Sequence, residues 1–387
     1  MKVLLVAGAR PNFMKVAPLH DAFRARGAAA PVCHTGQHYD ERMSRLFFEE
    51  LGLPEPAVNL GVGSGSHAAQ TAAVMERFEP VVLAERPDLV VVVGDVNSTV
   101  ACALVAVKLG VAVAHVEAGL RSFDRTMPEE LNRLATDAVS DLLYCSERSG
   151  VANLVAEGAL PARVHLVGNV MIDTLLRHRD AARRSGARAR HAPAERYALV
   201  TLHRPANVDD ADAAAELARA LRDVAERVPL LFPMHPRTRA AFAQHGLLAD
   251  LEAHARVVAL PPLGYLEFLD LLSGAALVLT DSGGVQEETT VLGVPCLTLR
   301  PNTERPATVD EGTNRVVGTA RAAIVAAADA ALSQPPSGRV PELWDGRAAE
   351  RIASHVLGGG LDAVGALRRT APSPACGTRG QGKEQRG

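Results

Sequence analysis

Three carboxylates and an arginine stand out in the run DLVVVVGDVNSTVACALVAVKLGVAVAHVEAGLRSFDRTMPEELNR, residues 88–133. Asp95 and Glu117 each lie just past a continuous apolar run, LVVVV (89–93) and VAVA (111–114). Glu129 follows Pro128 at the start of a helical pattern, with Arg133 one turn on. Such apolar runs are strands covered on both faces in a parallel sheet. In open α/β sheets, ligands sit beyond the carboxyl ends of the strands. Carboxylates gathered there could move protons on and off a substrate carbon. Each also has a plainer explanation. Acids at helix starts favour the helix dipole, and Glu129 with Arg133 makes an ordinary i,i+4 pair.

A second constellation suits anion binding. The buried run ALVLTD (276–281) leads directly into Ser282-Gly283-Gly284-Val285-Gln286-Glu287-Glu288. Two glycines let a ligand approach the backbone, and a helix start points free N–H groups at it. A diphosphate is the simplest occupant, although a plain strand-to-helix turn also favours Ser and Gly. Two acids so close would repel a phosphate unless they point elsewhere, and one carboxylate can accept from both ribose hydroxyls. Arg10 and Lys15 fall near the first helix start, on the same sheet edge as Asp95, where each could equally be a solvated charge. His203 in TLHRPAN (201–207) ends the second half's first strand; His235 in PMHPRTR (233–239) reads as a surface residue.

The elements that would position these groups alternate strand and helix throughout. In the first half, strands are expected at 2–7, 30–36, 89–93, 111–114, 141–145 and 163–167. The first helix runs to about Arg26, with Pro11 suited to its first turn. Asn97, Ser98 and Thr99 are candidate caps for a helix over about 99–109. Strands near 197–202, 229–233, 256–260, 276–280, 295–299 and 314–317 repeat the plan. The expected fold is α/β: two Rossmann-like doubly wound domains, 1–168 and 169–345, facing across a cleft. The Ala- and Arg-rich segment 179–196 reads as an exposed connection, and the Gly- and Pro-rich tail 370–387 as disordered.

Composition narrows the function classes. The chain has 387 residues, 48% hydrophobic and 22% charged, which fits a folded core of two ordinary domains. A formal charge of −3 offers no electrostatic case for nucleic acid or anionic membranes. The five cysteines are scattered without metal-ligand spacing, and four lie in or beside apolar runs as small core residues. The opening MKVLLVAGARP reads as a strand, and no apolar stretch reaches membrane-span length. A cytoplasmic location is therefore the expectation. No GxGxxG follows the first strand, so the dinucleotide fingerprint is missing.

The segment HVEAGLRSFDRTMPEELNR resembles the signature of the non-hydrolysing UDP-N-acetylglucosamine 2-epimerases, and the likeness extends over about residues 1–360. It implies a fold like the type B glycosyltransferases, with a helix at about 346–360 packing back on the first domain. It also implies reversible interconversion of UDP-N-acetylglucosamine and UDP-N-acetylmannosamine without NAD or metal, in a homodimer. By the resemblance Asp95, Glu117, Glu129 and His203 are catalytic. Arg10, Lys15, Arg133, Phe268, Ser282, Gly283, Gly284, Glu288 and Arg305 bind substrate, Glu288 on the ribose and Arg305 on the nucleotide side. Rival readings are a hydrolysing 2-epimerase, an epimerase of a UDP-diacetamido-uronic acid, and a glycosyltransferase of the same fold. A non-enzymatic nucleotide-binding module is a further one, though binding alone gives no reason for three clustered acids. One stretch departs from the family. Where many bacterial members carry Gln-His-Arg-x-Met for a second, activating UDP-N-acetylglucosamine, this chain has Gln37-His38-Tyr39-Asp40-Glu41-Arg42-Met43, and the loop 61–66 brings no cation. The expectation is an enzyme that needs no activator.

Overall fold

The computed structural model describes residues 1–36, 48–192 and 194–362, the Arg10 side chain excepted. The segment 37–43, the tail 370–387 and Cys376 lie outside the described residues. Seven parallel strands form the first sheet: β1 (Val3–Ala7), β2 (Val32–His34), β3 (Val58–Asn59), β4 (Leu89–Val93), β5 (Ala112–Val116), β6 (Leu142–Cys145) and β7 (Val164–Leu166). Six more form the second: β8 (Ala198–Thr201), β9 (Leu230–Pro233), β10 (Val257–Leu260), β11 (Leu277–Thr280), β12 (Cys296–Thr298) and β13 (Asn314–Val316). Helices connect the strands on both faces, so β4, β5 and β11 are buried along their whole length. That double cover is why their sequences run apolar without alternation. Each such Val or Leu removed from water contributes about 1.5–3 kcal/mol.

The strand orders are β3-β2-β1-β4-β5-β6-β7 and β10-β9-β8-β11-β12-β13. The order reverses between β1 and β4 in one sheet and between β8 and β11 in the other. At such a point neighbouring loops diverge and leave a crevice beyond the strand ends. The loops after these four strands carry Arg10, Asp95, His203 and Ser282, which links strand order directly to the candidate chemistry.

The two halves are joined by more than a linker. Helix Val170–Ser185, capped by Asn169 Oδ1 accepting from Met171 N at 2.9 Å, packs on helices Arg10–Ala25 and Tyr265–Gly274. One apolar cluster consequently runs from Val3 and Leu5 through Leu175 and Leu269 to Val278. The chain returns through Trp344, whose Nε1 donates to Ser146 O at 2.9 Å, into helix Ala348–His355 against helix Arg10–Ala25. Asp173 accepts from Ala348 N and Ala349 N at the start of that returning helix. Gly168 (φ +87°) lies where any Cβ would strike the Leu343 carbonyl, so only glycine fits this crossing.

Three local expectations are corrected. The first sheet has β3 as an extra edge strand, two residues long and too short for any periodicity to register. Helix Asn97–Lys108 starts after Val96 without a side-chain cap. Asn97 instead bonds Gln70, Ser98 bonds Thr35, and Thr99 donates to Val93 O. The segment 179–196 is not all exposed connection: Ala187–His191 is a short helix, Ala187 is buried, and Arg188 bonds Asp270. Among the described residues no helix is long and apolar enough to cross a membrane.

Candidate active site

At the first sheet edge, Glu117 follows β5 in a left-handed conformation (φ +74°). Its N–H and that of Ala118 both donate to Tyr144 O, at 3.0 and 3.1 Å, which holds the turn closed. A non-glycine residue there costs on the order of 1–2 kcal/mol, and such strain collects at functional sites. The turn aims the carboxylate at Lys15, whose Nζ lies 2.5 Å from Glu117 Oε2. Both side chains are nearly buried, so Lys15 is no solvated charge, and Glu117 Oε1 has no hydrogen-bond partner among the described residues. Gly94 (φ +67°) makes room, since a Cβ there would stand 3.1 Å from Lys15 Nζ.

Behind this edge stands a buried polar layer. His115 presents Nε2 to Gly94 O at 2.8 Å and Nδ1 to Asp137 Oδ1 at 2.6 Å. Asp137 also accepts from Gly119 N at 3.0 Å and pairs with Arg121 at 2.7 Å. The loops that carry Asp95 and Glu117 are thereby tied to one imidazole and one carboxylate.

Arg133 organises the other acids. Its Nη1 lies 2.5 Å from Asp95 Oδ2, and its Nη2 lies 2.5 Å from Glu130 Oε2. The expected i,i+4 partner, Glu129, is not used. Pro128 starts the helix, and its turn places Glu130 inward under the loop 120–127, where it accepts from Ser122 N and Phe123 N at 3.0 Å each. Glu129 is half-buried, and its carboxylate makes no hydrogen bond or ion pair among the described residues. Burial opposes the ionisation of Asp95, but Arg133, Lys15 and Arg305 outweigh it and hold its carboxyl below the usual range.

The second sheet edge faces this set. Ser282 stands at the start of helix Gly283–Leu292, whose opening N–H groups lie beside Gly283 and Gly284. Asp281 is wholly buried and accepts from His203 N, Arg204 N and Asn207 Nδ2, with His203 Nδ1 at 3.0 Å. It fixes the His203 loop. His203 is the accessible member, with its ring 6.0 Å from that of His235. His235 Nδ1 accepts from Arg237 N at 3.2 Å and so caps the helix Pro236–Gln244. Glu288 is buried and accepts from Tyr265 OH at 3.0 Å, and burial pushes its carboxyl up to about 7. Phe268 is half-buried against the shared apolar cluster.

Arg305 joins the two edges. It is buried, pairs with Glu304, and has Nε 2.8 Å from Glu287 Oε1, with Glu117 and Asp95 of the first edge also within its field. Glu304 in turn holds Arg300 at 2.8 Å and Arg204 at 3.7 Å. From the first edge, Glu147 Oε1 accepts from Ala307 N at 3.3 Å. The arrangement is a line of carboxylates opposite a helix start, with arginine and lysine between them. It can exchange protons on one side and hold an anion on the other. Among the described residues no group of His, Cys, Asp and Glu could hold a metal ion.

Lys15, Asp95, Glu117, Arg133 and Arg305 are thus brought into one electrostatic set. Ser282, Gly283, Gly284, Glu288 and His203 lie on the opposing edge, while the Arg10 side chain is outside the description. The sequence did not single out Glu130, Glu304, Asp281, His115 or Asp137, and left Glu287 aside. The only signal for them was polarity inside otherwise apolar or motif-like runs.

Comparison with known proteins identifies the family. The family model described as UDP-N-acetylglucosamine 2-epimerase matches residues 21–357. A UDP-N-acetylglucosamine 2-epimerase of Methanocaldococcus jannaschii is 41% identical, over 91% of this chain and 98% of the relative. The UDP-2,3-diacetamido-2,3-dideoxy-D-glucuronate 2-epimerase of Pseudomonas aeruginosa is also 41% identical, over 92% of this chain and 99% of that one. Among solved structures, the M. jannaschii UDP-GlcNAc 2-epimerase in complex with UDP-GlcNAc and UDP superposes with a TM-score of 0.89, covering 93% of this chain and all of that one. On its strand order, its opposed sheet edges and these likenesses, the chain belongs to the UDP-N-acetylglucosamine 2-epimerase family.

Proposed function

We propose that the protein interconverts UDP-N-acetylglucosamine and UDP-N-acetylmannosamine by eliminating and re-adding UDP. The carrying observation is the opposition of Asp95 and Glu117 to the Ser282–Gly284 helix start, with Lys15 and Arg305 between them. The diphosphate occupies the helix start, where free N–H groups and Arg305 stabilise the charge that collects as it leaves. Asp95, Glu117 and Glu129 serve jointly in proton transfer, and His203 is presented to the sugar by Asp281. The proton on sugar carbon 2 passes to a carboxylate while the electron pair of the carbon 1–oxygen bond departs with UDP, giving a 2-acetamidoglucal. Re-addition reverses both steps, with the proton delivered to the other face. Acids on both faces are what such an inversion asks for, and a transferase has no use for them.

The lobes 1–168 and 169–345 close on the nucleotide, and the loop near 300–313 orders with them. The active unit is a homodimer in the cytoplasm. Proton NMR in deuterated water tests the reaction: UDP-N-acetylglucosamine alone should yield a two-sugar equilibrium with deuterium at carbon 2. Free sugar accumulating with UDP would instead establish hydrolysis. A second reading, epimerisation of a UDP-diacetamido-uronic acid, is favoured by the P. aeruginosa relative, whose identity equals that of the M. jannaschii one. Turnover of the two sugars in the same assay decides between them.

A further inference from the structure

Glu287 is a charged group of the second sheet edge that the mechanism leaves unused. It sits in the second turn of helix Gly283–Leu292, and helix side chains lean towards their N-terminus. Its carboxyl is therefore carried back over the Gly283–Gly284 turn. The side chain is wholly buried, and neither oxygen has a hydrogen-bond partner among the described residues. Arg305 Nε, 2.8 Å from Oε1, is an ion-pair contact without hydrogen-bond geometry. The groups facing Glu287 are Arg305 from the loop after β12, Glu117 and Lys15 from the first sheet edge, and Glu288 on its own helix. Neither cation is uncommitted, since Lys15 is held by Glu117 and Arg305 also by Glu304. A diphosphate at the helix start adds negative charge to a buried place whose described cations are already shared. A carboxyl in that position relieves the repulsion by becoming neutral.

We propose that Glu287 takes up a proton from solvent when a nucleotide diphosphate occupies the Ser282–Gly284 turn, so that nucleotide binding and protonation are linked. This rests on the reading of that turn as the diphosphate site. Only an O–H bond forms, and it breaks again when the nucleotide leaves. Neutral Glu287 gains a donor that a carboxylate lacks, and it releases Arg305 to the incoming phosphate. Burial already pushes the Glu287 carboxyl up to about 7, with Glu117 adding to the rise and Arg305 and Lys15 opposing it. Added negative charge acts on a group poised near neutrality.

Calorimetry of UDP binding to the full chain tests the linkage, at about pH 8 where the terminal phosphate of UDP is ionised. In buffers of different ionisation heat, the wild type should show uptake of most of a proton, and Glu287→Gln should show none. Buffer-independent heat in the wild type, or equal uptake in the variant, overturns the proposal. The wild type alone gives a second reading, because one linked proton weakens UDP binding by up to about tenfold per pH unit above neutrality. A dissociation constant that stays flat from about pH 7.5 to 8.5 likewise overturns it. Absence of UDP binding at every pH would remove the diphosphate-site reading itself, an outcome distinct from binding without proton uptake.

Discussion

Replacing Arg133 by methionine isolates the charge network from the packing, because the methionine keeps most of the buried aliphatic stem. The guanidinium is 2% exposed and serves two carboxylates, Asp95 and Glu130, each at 2.5 Å. Breaking a buried ion pair costs about 3–5 kcal/mol, mainly through the charge left behind. Here the lower end applies. Glu130 keeps the donors Ser122 N, Ser122 Oγ and Phe123 N, and the Asp95 side chain, 28% exposed, reaches water. Arg133→Met is therefore expected to lose about 3 kcal/mol at neutral pH, measured by urea unfolding. The pH dependence has a definite sign. Burial opposes ionisation of both carboxyls, yet Arg133 and its neighbours hold both below their ordinary range in the folded protein. That stabilisation is present above the unfolded carboxyl values of about 4 and is lost as pH falls through the folded values. The gap between wild type and variant should therefore narrow on acidification below about pH 4. A double-mutant cycle with Glu130→Gln should give a coupling of about 1–3 kcal/mol. Additive effects, a loss under about 1 kcal/mol, or a gap that widens in acid would refute the reasoning.

Asp95→Asn, Glu117→Gln and Glu129→Gln should each lower turnover by at least ~10²-fold with the fold intact by circular dichroism; near-normal turnover in all three would end the assignment. In Gly283→Ala the new Cβ meets the Arg305 guanidinium and stands 2.9 Å from Glu304 Oε1, so UDP affinity should fall by about tenfold or more in calorimetry, and an unchanged affinity would move the nucleotide site elsewhere. Burial pushes Asp173 up to about 6 against its two backbone bonds, so its contribution to stability is complete below about pH 4 and is lost as pH rises through 6. Asp173→Asn should gain about 2–3 kcal/mol relative to wild type between those limits, and parallel stability curves would contradict this. Starting from UDP-N-acetylmannosamine, the reaction should begin without a lag; a lag removed by a trace of UDP-N-acetylglucosamine would establish the activating site.

Positions along the chain were legible where an apolar run ends abruptly. Asp95, Glu117 and Ser282 each follow a strand with no outward face, and a polar residue can come only where that strand leaves the sheet. Partners were not legible. Lys15 and Glu117 are 102 residues apart, and only the pairing of β1 with β4, and of β4 with β5, brings them together. Arg133 takes Glu130 rather than Glu129 because the loop before the helix folds over one side of it, which helical spacing alone does not reveal. Asn97, Ser98 and Thr99 have the composition of a cap, yet buried polar neighbours claim their side chains first. The two-residue strand β3 is held by its neighbour β2 rather than by any preference of its own.

The returning helix carries a consequence for how the molecule is made. Ala348, Ala349, Ile352, Ala353 and Val356 belong to the same apolar cluster as Val3, Leu5 and Phe13, which are synthesised well before them. Domains generally fold as units in order of synthesis. Here the core of the earlier half includes helix Ala348–His355, which is made after the last strand of the six-stranded sheet of residues 198–316. Order of translation and order of completion are inverted. Until the helix arrives, the nascent chain exposes the apolar side of helix Arg10–Ala25, a natural place for a chaperone to hold it.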